Sequence, residues 1–325
     1  MVGALAKAPF MSPVIEVTGL RKEYRDLRGR SFAAVDDLSF VIDGPGVYGL
    51  LGPNGSGKTT TLRLLLGLVR PTAGAVRVLG ADVRDLHSVA PRIGALIEGP
   101  KFSPNHSGRR NLEHLARMSR LPDASIHEAL ELVELGARAD DLVGSYSLGM
   151  AQRLGIAAAL LGNPDLIVLD EPTNGLDPAG IADIRRLMRK LANEGRTVIL
   201  ASHQLHEVQQ ACDEVIILKS GRLVAEGPVS EIVGTTGRRR FQIEVDDRDL
   251  ALAVLMRAGL HALPGLERDQ IVAEADPGTT GADLNRTLAH EGLFAHRISE
   301  EQLTLEAAFL NLTDTQLADN GVTPN

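Results

Sequence analysis

Gly52-Pro53-Asn54-Gly55-Ser56-Gly57-Lys58-Thr59-Thr60 has the residue types and spacing of a phosphate cradle, G-x-x-x-x-G-K-[ST]. Its glycines let the backbone wrap an anion with N–H groups turned inward. Lys58 is placed to reach the β- and γ-phosphates of a nucleotide, and the Thr59 hydroxyl to ligate Mg²⁺. A second chemical signal lies at Asp170-Glu171, which directly follows the apolar run Leu166–Leu169. A carboxylate at the end of a buried parallel strand, beside a phosphate loop, can hold Mg²⁺; that role falls to Asp170. Glu171 is next along and is suited to polarise a water or accept its proton. Without the loop, the pair would read as an acidic start to the next helix.

These residues need particular elements to position them. Gly46–Leu51 is an apolar strand that feeds the loop, and Thr60–Leu68 reads as the helix that leaves it. The helix start adds partial positive charge toward the same anion. Val14–Thr18, Ser31–Ile42 and Gly74–Leu79 read as further strands, with Asp36-Asp37 as a turn. From about His87 to Pro164 the pattern becomes helical, with helices expected at Asn111–Ser119 and Ser125–Leu135 and N-cap side chains around Asp123. Then Leu166–Leu169, a helix Ile181–Asn193, Thr197–Ala201 and a helix around Gln204–Ala211 alternate strand with helix. That order implies a parallel sheet with crossover helices. Val215–Leu218 and Arg222–Val224 make a hairpin about Ser220-Gly221.

Gly234 to Arg240 reads as a linker. After it, Phe241–Val245, Leu250–Ala258, Ile271–Ala275, Ala282–His290 and Phe294–Ile298 read as β-α-β-α-β. A last amphipathic helix, Leu303–Leu312, precedes a polar tail, 313–325.

Tyr146-Ser147-Leu148-Gly149-Met150-Ala151-Gln152-Arg153 resembles the signature motif of ATP-binding cassette (ABC) ATPases. Asp170 to Pro178 resembles their Walker B segment and D-loop, and Ser202-His203 their switch histidine. Tyr24 stands where that family places an aromatic against adenine. The likeness runs from about Val14 to Gly234, with the motifs in family order.

The resemblance implies an α/β fold of the P-loop NTPase, ABC ATPase kind. It would have a β-rich N-terminal part, a mixed core sheet, a helical subdomain (about 88–164) and a small C-terminal α+β domain (235–325). Residues 1–13 would be an extension and 14–234 the ATPase domain. It also implies Mg²⁺-dependent ATP hydrolysis. ATP would lie between Gly52–Thr60 of one subunit and Ser147 and Gly149 of a second copy, with His203 sensing the γ-phosphate. Ser147 and Gly149 suit that role physically, because a helix start offers free N–H groups and a hydroxyl to an anion. Asp177 either organises the seam between copies or simply N-caps the helix that starts at Pro178.

Two positions depart from the family pattern. Glu98 stands where glutamine is usual, near the metal, and Leu148 where glycine is usual. A carboxylate at 98 can still ligate Mg²⁺ but adds negative charge beside ATP.

Composition bounds the rest. The 325 residues carry a net charge of −8 and 44% apolar content. That suits a globular protein with a sizeable core and argues against a general nucleic-acid binder. The lone Cys212 fits a reducing compartment. No apolar run reaches the roughly 20 residues that span a bilayer. The family resemblance implies a motor at the cytoplasmic face of the membrane, joined to a separately encoded permease. Resemblance to ABC-2-type exporters points to drugs, lantibiotics or polymers as cargo. The alternative is a cassette ATPase acting on nucleic acid or ribosomes. Such proteins usually carry tandem cassettes, long coiled coils or zinc cysteines. A non-hydrolysing nucleotide sensor would not need Glu171.

Overall fold

The computed structural model describes residues 12–26, 29–99, 101–234, 239–265, 267–276, 278–301, 304–310 and 312. The expected N-terminal extension up to residue 11, residues 235–238 of the expected linker, Leu303 and the tail 313–325 lie outside them; the linker's Gly234 ends a helix and its Arg239 and Arg240 open a strand. The chain divides into two compact units, Met1–Val229 and Ser230–Asn325.

The first unit opens with an antiparallel sheet. Strands β1 (Ile15–Arg25) and β2 (Ser31–Ile42) pair along most of their length. Next in the chain come β3 (Gly46–Leu51), α1 (Lys58–Leu65), β4 (Ala73–Val78) and the short β5 (Ala81–Asp82). The order across this sheet is β2-β1-β4-β5. Asp36-Asp37 is not a turn: Asp37 has a φ of +56°, inside a continuous β2 whose register against β1 shifts nearby. The acidic pair marks a bulge, which absorbs a polar insertion without ending the strand.

The second sheet carries the chemistry. Its strands are β3, β6 (Ile93–Leu96), β7 (Leu166–Asp170), β8 (Thr197–Ser202), β9 (Glu214–Lys219) and β10 (Arg222–Pro228), in the order β10-β9-β3-β8-β7-β6. All neighbours run parallel except β10 with β9, the expected hairpin. Every residue of β3, β7 and β8 is buried. Central strands with both faces covered need such unbroken apolar runs. Their Leu50, Val168, Ile199 and Ala201 join Leu62 and Leu65 of α1 and the inner face of the first sheet in one core.

Helices α2 (Gly108–Met118), α3 (Ala124–Leu132) and α4 (Leu148–Leu160) fill the segment read as helical. Ser107 caps α2 by accepting from Arg110 N. Asp123 makes no cap hydrogen bond; it already has helical backbone angles, so its carboxylate is not aimed at the free N–H groups. Ile93–Leu96 was not expected as a strand. Its four residues are too few for periodicity to show, and only pairing with β7 makes them β6. Helix α5 (Pro178–Asn193) starts earlier than its apolar pattern, because Asp177 caps it and Pro178 takes its first turn. Helix α6 (Leu205–Ala211) follows β8, and α7 (Val229–Gly234) spans the division between units.

The second unit contains β11 (Arg239–Val245), α8 (Arg248–Arg257), β12 (His261–Pro264), β13 (Gln270–Ala275), α9 (Gly281–Ala289) and β14 (Ala295–Glu301). The sheet order is β12-β13-β11-β14, antiparallel throughout. This is the β-α-β-β-α-β split arrangement of ferredoxin-like folds. Sequence reading missed β12, an edge strand with one buried residue, Ala262. The core is Phe241, Ile243 and Val245 of β11 against Val254, Leu255, Leu284 and Leu288 of the helices.

Candidate active site

The phosphate cradle is a loop between β3 and α1 that only glycine can close. At Gly57, φ is +104° and a Cβ would stand 2.5 Å from the Ala34 carbonyl oxygen; at Gly52 a Cβ would stand 2.3 Å from that of Leu218. The Lys58 ammonium bridges back over the loop, donating to Gly52 O at 2.7 Å and Pro53 O at 3.3 Å. Burial pulls the Lys58 pKa down, against the opposing pull of Glu171 and Asp170. The ammonium thus sits in a partly desolvated place where an anion gains most. The Ser56 hydroxyl is buried with no hydrogen-bond partner.

The acids arrive on the neighbouring strands. Strand β8 lies between β3 and β7, in parallel register with both. The carboxyl ends of all three therefore open on one edge of the sheet, the usual place for a ligand in such folds. Asp170 is buried; its Oδ2 accepts from Thr59 Oγ1 at 3.0 Å, and its Oδ1 has no partner. Burial raises the Asp170 pKa, and the Thr59 hydrogen bond opposes the rise. Glu171 has a φ of +49°, uncommon for a side chain with a Cβ, and its N–H donates to Ala201 O at 2.9 Å. Its two carboxylate oxygens each lie 2.9 Å from Nδ1 of His203.

A cleft of about 480 Å³ joins the loop to the acid pair; His203 does not line it and meets it through Glu171. It is lined by Asn54, Gly55, Ser56, Gly57, Lys58, Thr59 and Thr60, by Asp170 and Glu171, and by Tyr24, Phe32, Ala33 and Ala34. Tyr24 and Phe32 are paired residues of β1 and β2, with ring centroids 5.9 Å apart and planes 31° from parallel. They give the mouth an aromatic wall suited to a flat heterocycle. Sequence reading missed Phe32, Ala33 and Ala34, because only the β1–β2 register brings them to the loop.

Other expected site residues stand apart. Ser147, Gly149 and Asp177 do not line this cleft. Ser147 caps α4 by accepting from Met150 N at 3.2 Å, and Asp177 caps α5 by accepting from Gly180 N at 2.9 Å. Leu148 is 60% exposed between Ser147 and Gly149. Glu98 is also outside the cleft, with its carboxylate paired to Arg63 of α1.

The donor set suits a hard divalent cation. Thr59 Oγ1 and the unpartnered Asp170 Oδ1 are oxygen donors of the kind Mg²⁺ takes. Among the described residues no group of three His, Cys, Asp or Glu could hold a metal by itself. An ion here would complete its shell with phosphate oxygens and water, as Mg²⁺ usually does.

A glycine-closed cradle with acids at the end of the next strand but one defines a nucleotide-hydrolysing P-loop protein. The ABC transporter family model matches residues 35–174. The bacitracin transport ATP-binding protein BcrA of Enterococcus faecalis is 35% identical over 93% of this chain and 97% of its own length. The daunorubicin resistance ATP-binding protein DrrA3 of Streptomyces coeruleorubidus is 35% identical over 92% of this chain and 95% of its own. Among solved structures, the dimeric ATP-binding cassette MJ0796 in a post-hydrolysis state with ADP and Pi matches at a TM-score of 0.61. It is 26% identical, over 66% of this chain and 98% of that one. The chain belongs to the ABC transporter family, as one of its ATP-binding subunits. It binds and hydrolyses ATP, and the hydrolysis powers transport. No helix among the described residues is long and apolar enough to cross a membrane.

Proposed function

We propose that this protein is the motor of an exporter, working at the cytoplasmic face of the membrane on a separately encoded permease. The cargo would be a drug, a peptide antibiotic or a related compound. Relatives named for bacitracin transport and daunorubicin resistance, matched over nearly their full length, support that class. In this reading 14–234 is the ATPase domain, with its helical part at about 88–164, and 235–325 is an accessory unit.

The observation that carries the site assignment is the pair of buried, unpartnered oxygens, Ser56 Oγ and Asp170 Oδ1, in residues lining the Lys58 cleft. Leaving such groups without a partner costs about 1–3 kcal/mol each, so they fit a ligand that satisfies them. Gly52 to Thr60 take the phosphates, with Lys58 countering their charge. Tyr24 takes the adenine. Thr59 and Asp170 hold Mg²⁺, with Glu98 as a further ligand. Bound Mg²⁺ would neutralise the phosphate oxygens and the charge that develops on them. Glu171 accepts the proton of the attacking water, and His203, bonded to it, orients the carboxylate and faces the γ-phosphate. Ser147 and Gly149 of a second copy, with Asp177 at the seam, close the site. Their absence from this chain's own cleft supports an arrangement in trans.

The test is Glu171→Gln in the purified protein. ATP binding should persist, turnover should fall about 10²–10⁴-fold, and sedimentation with ATP should show a dimer. Wild-type turnover in that variant would remove Glu171 as the base. Absence of any ATP-dependent dimer would remove the shared site.

A further inference from the structure

The Glu98 carboxylate, proposed above as a metal ligand, is paired in this structure with Arg63 of α1. Arg63 lies one turn beyond Thr59 on α1, so both project from the same helix face. Its charge reaches Asp170. Glu98 comes two residues after β6, and Leu96 of β6 is opposite Leu169 of β7. The chain therefore brings Glu98 out of the sheet alongside Asp170-Glu171. A third carboxylate arrives at the acid edge, and one guanidinium holds it.

Two further features make this a changeable contact. Glu98 has a φ of +61°, a conformation a side chain with a Cβ adopts only at a cost, and Gly99 follows at +77°. The two side chains are 34% and 51% exposed, and ion pairs so open to solvent are weak. The Glu98 side chain thus rises from an uncommon backbone conformation onto a partner that a stronger cation can displace.

We propose that Arg63 is a positioning residue that keeps Glu98 aside until Mg²⁺–nucleotide binds, whereupon the carboxylate exchanges the guanidinium for the metal ion. The proposal rests on the reading that the cleft binds Mg²⁺–ATP. A carboxylate oxygen is a good Mg²⁺ ligand, and the paired guanidinium keeps three acids from repelling one another, and the incoming phosphates, in the metal-free state.

The experiment is a Mg²⁺ titration of the binding of a fluorescent, non-hydrolysable ATP analogue to the full chain. It compares wild type, Arg63→Gln, Arg63→Lys, Glu98→Gln and the double variant Arg63→Gln/Glu98→Gln, each checked for an unchanged melting temperature. Freeing Glu98 with Arg63→Gln should lower the Mg²⁺ midpoint about fivefold, the scale of an exposed ion pair. Arg63→Lys should restore the wild-type midpoint, and Glu98→Gln should raise it. In the Glu98→Gln background, Arg63→Gln should change nothing, because the two act through one contact. An equal shift in both backgrounds would show that Arg63 acts directly on the site's charge, and would overturn the exchange. An unchanged midpoint in Glu98→Gln would overturn it too. Nucleotide binding by wild type that ignores Mg²⁺ would instead overturn the underlying site assignment, and the exchange with it.

Discussion

Gly57 shows how little freedom the active residues have. Its φ of +104° and the 2.5 Å approach to Ala34 O leave no room for a Cβ. Gly57→Ala should abolish ATP binding, measured by fluorescent nucleotide titration, while a melt shows the chain still folded. Lys58→Ala removes the cation that sits over the loop carbonyls. It should weaken ATP binding at least about tenfold, the scale of a charge-assisted hydrogen bond. At this scale the sequence was highly legible. Lys58, Thr59, Asp170 and Glu171 lie together as their types and spacing implied. The left-handed backbone of Glu171 and its bond to His203 were not legible, because both depend on how β7 and β8 end side by side.

Elements are positioned by close approach and by caps. Gly94 of β6 lies against α4, where a Cβ would stand 1.8 Å from Ala159 O. Gly94→Ala should therefore destabilise the protein by about 1–3 kcal/mol, the usual cost of overpacking, read as a lower urea midpoint. Ser147→Ala removes the α4 cap and should cost about 1 kcal/mol. If the hydroxyl also serves a second copy, ATP turnover should fall further than that loss of stability explains. In the second unit His296 hydrogen-bonds Asp246 at 2.8 Å, which raises the His296 pKa above its ordinary value. The contribution is complete below about pH 6.5 and is lost as pH rises through the raised pKa. His296→Gln should thus lower the melting temperature at about pH 5.5 and leave it unchanged well above neutrality. The long elements were legible from periodicity, but β6 and β12 were not. Four residues carry too little pattern, and their strand character comes from partners β7 and β13.

The whole molecule joins an ATPase unit to a ferredoxin-like one, and the cradle is only half of the proposed ATP site. A Ser147→Ala chain mixed with a Lys58→Ala chain should restore part of the turnover that each lacks alone, because one intact composite site can then form. No recovery in a coupled ATPase assay, with mixed dimers demonstrated, would place the signature residues outside the site. The sequence by itself determined the chemistry. The phosphate loop and the acid pair are local strings whose residue types and spacing point to nucleotide chemistry, and the signature segment is legible by its resemblance to ABC ATPases. Tertiary structure alone decided what those strings meet. Parallel register sets Glu171 against His203, β1–β2 pairing brings Phe32 beside Tyr24, and α1 lies where Arg63 takes hold of Glu98. The physical reason is that sheet register and helix packing are set by burial of apolar faces drawn from the whole chain. No local window of sequence contains both sides of such a contact.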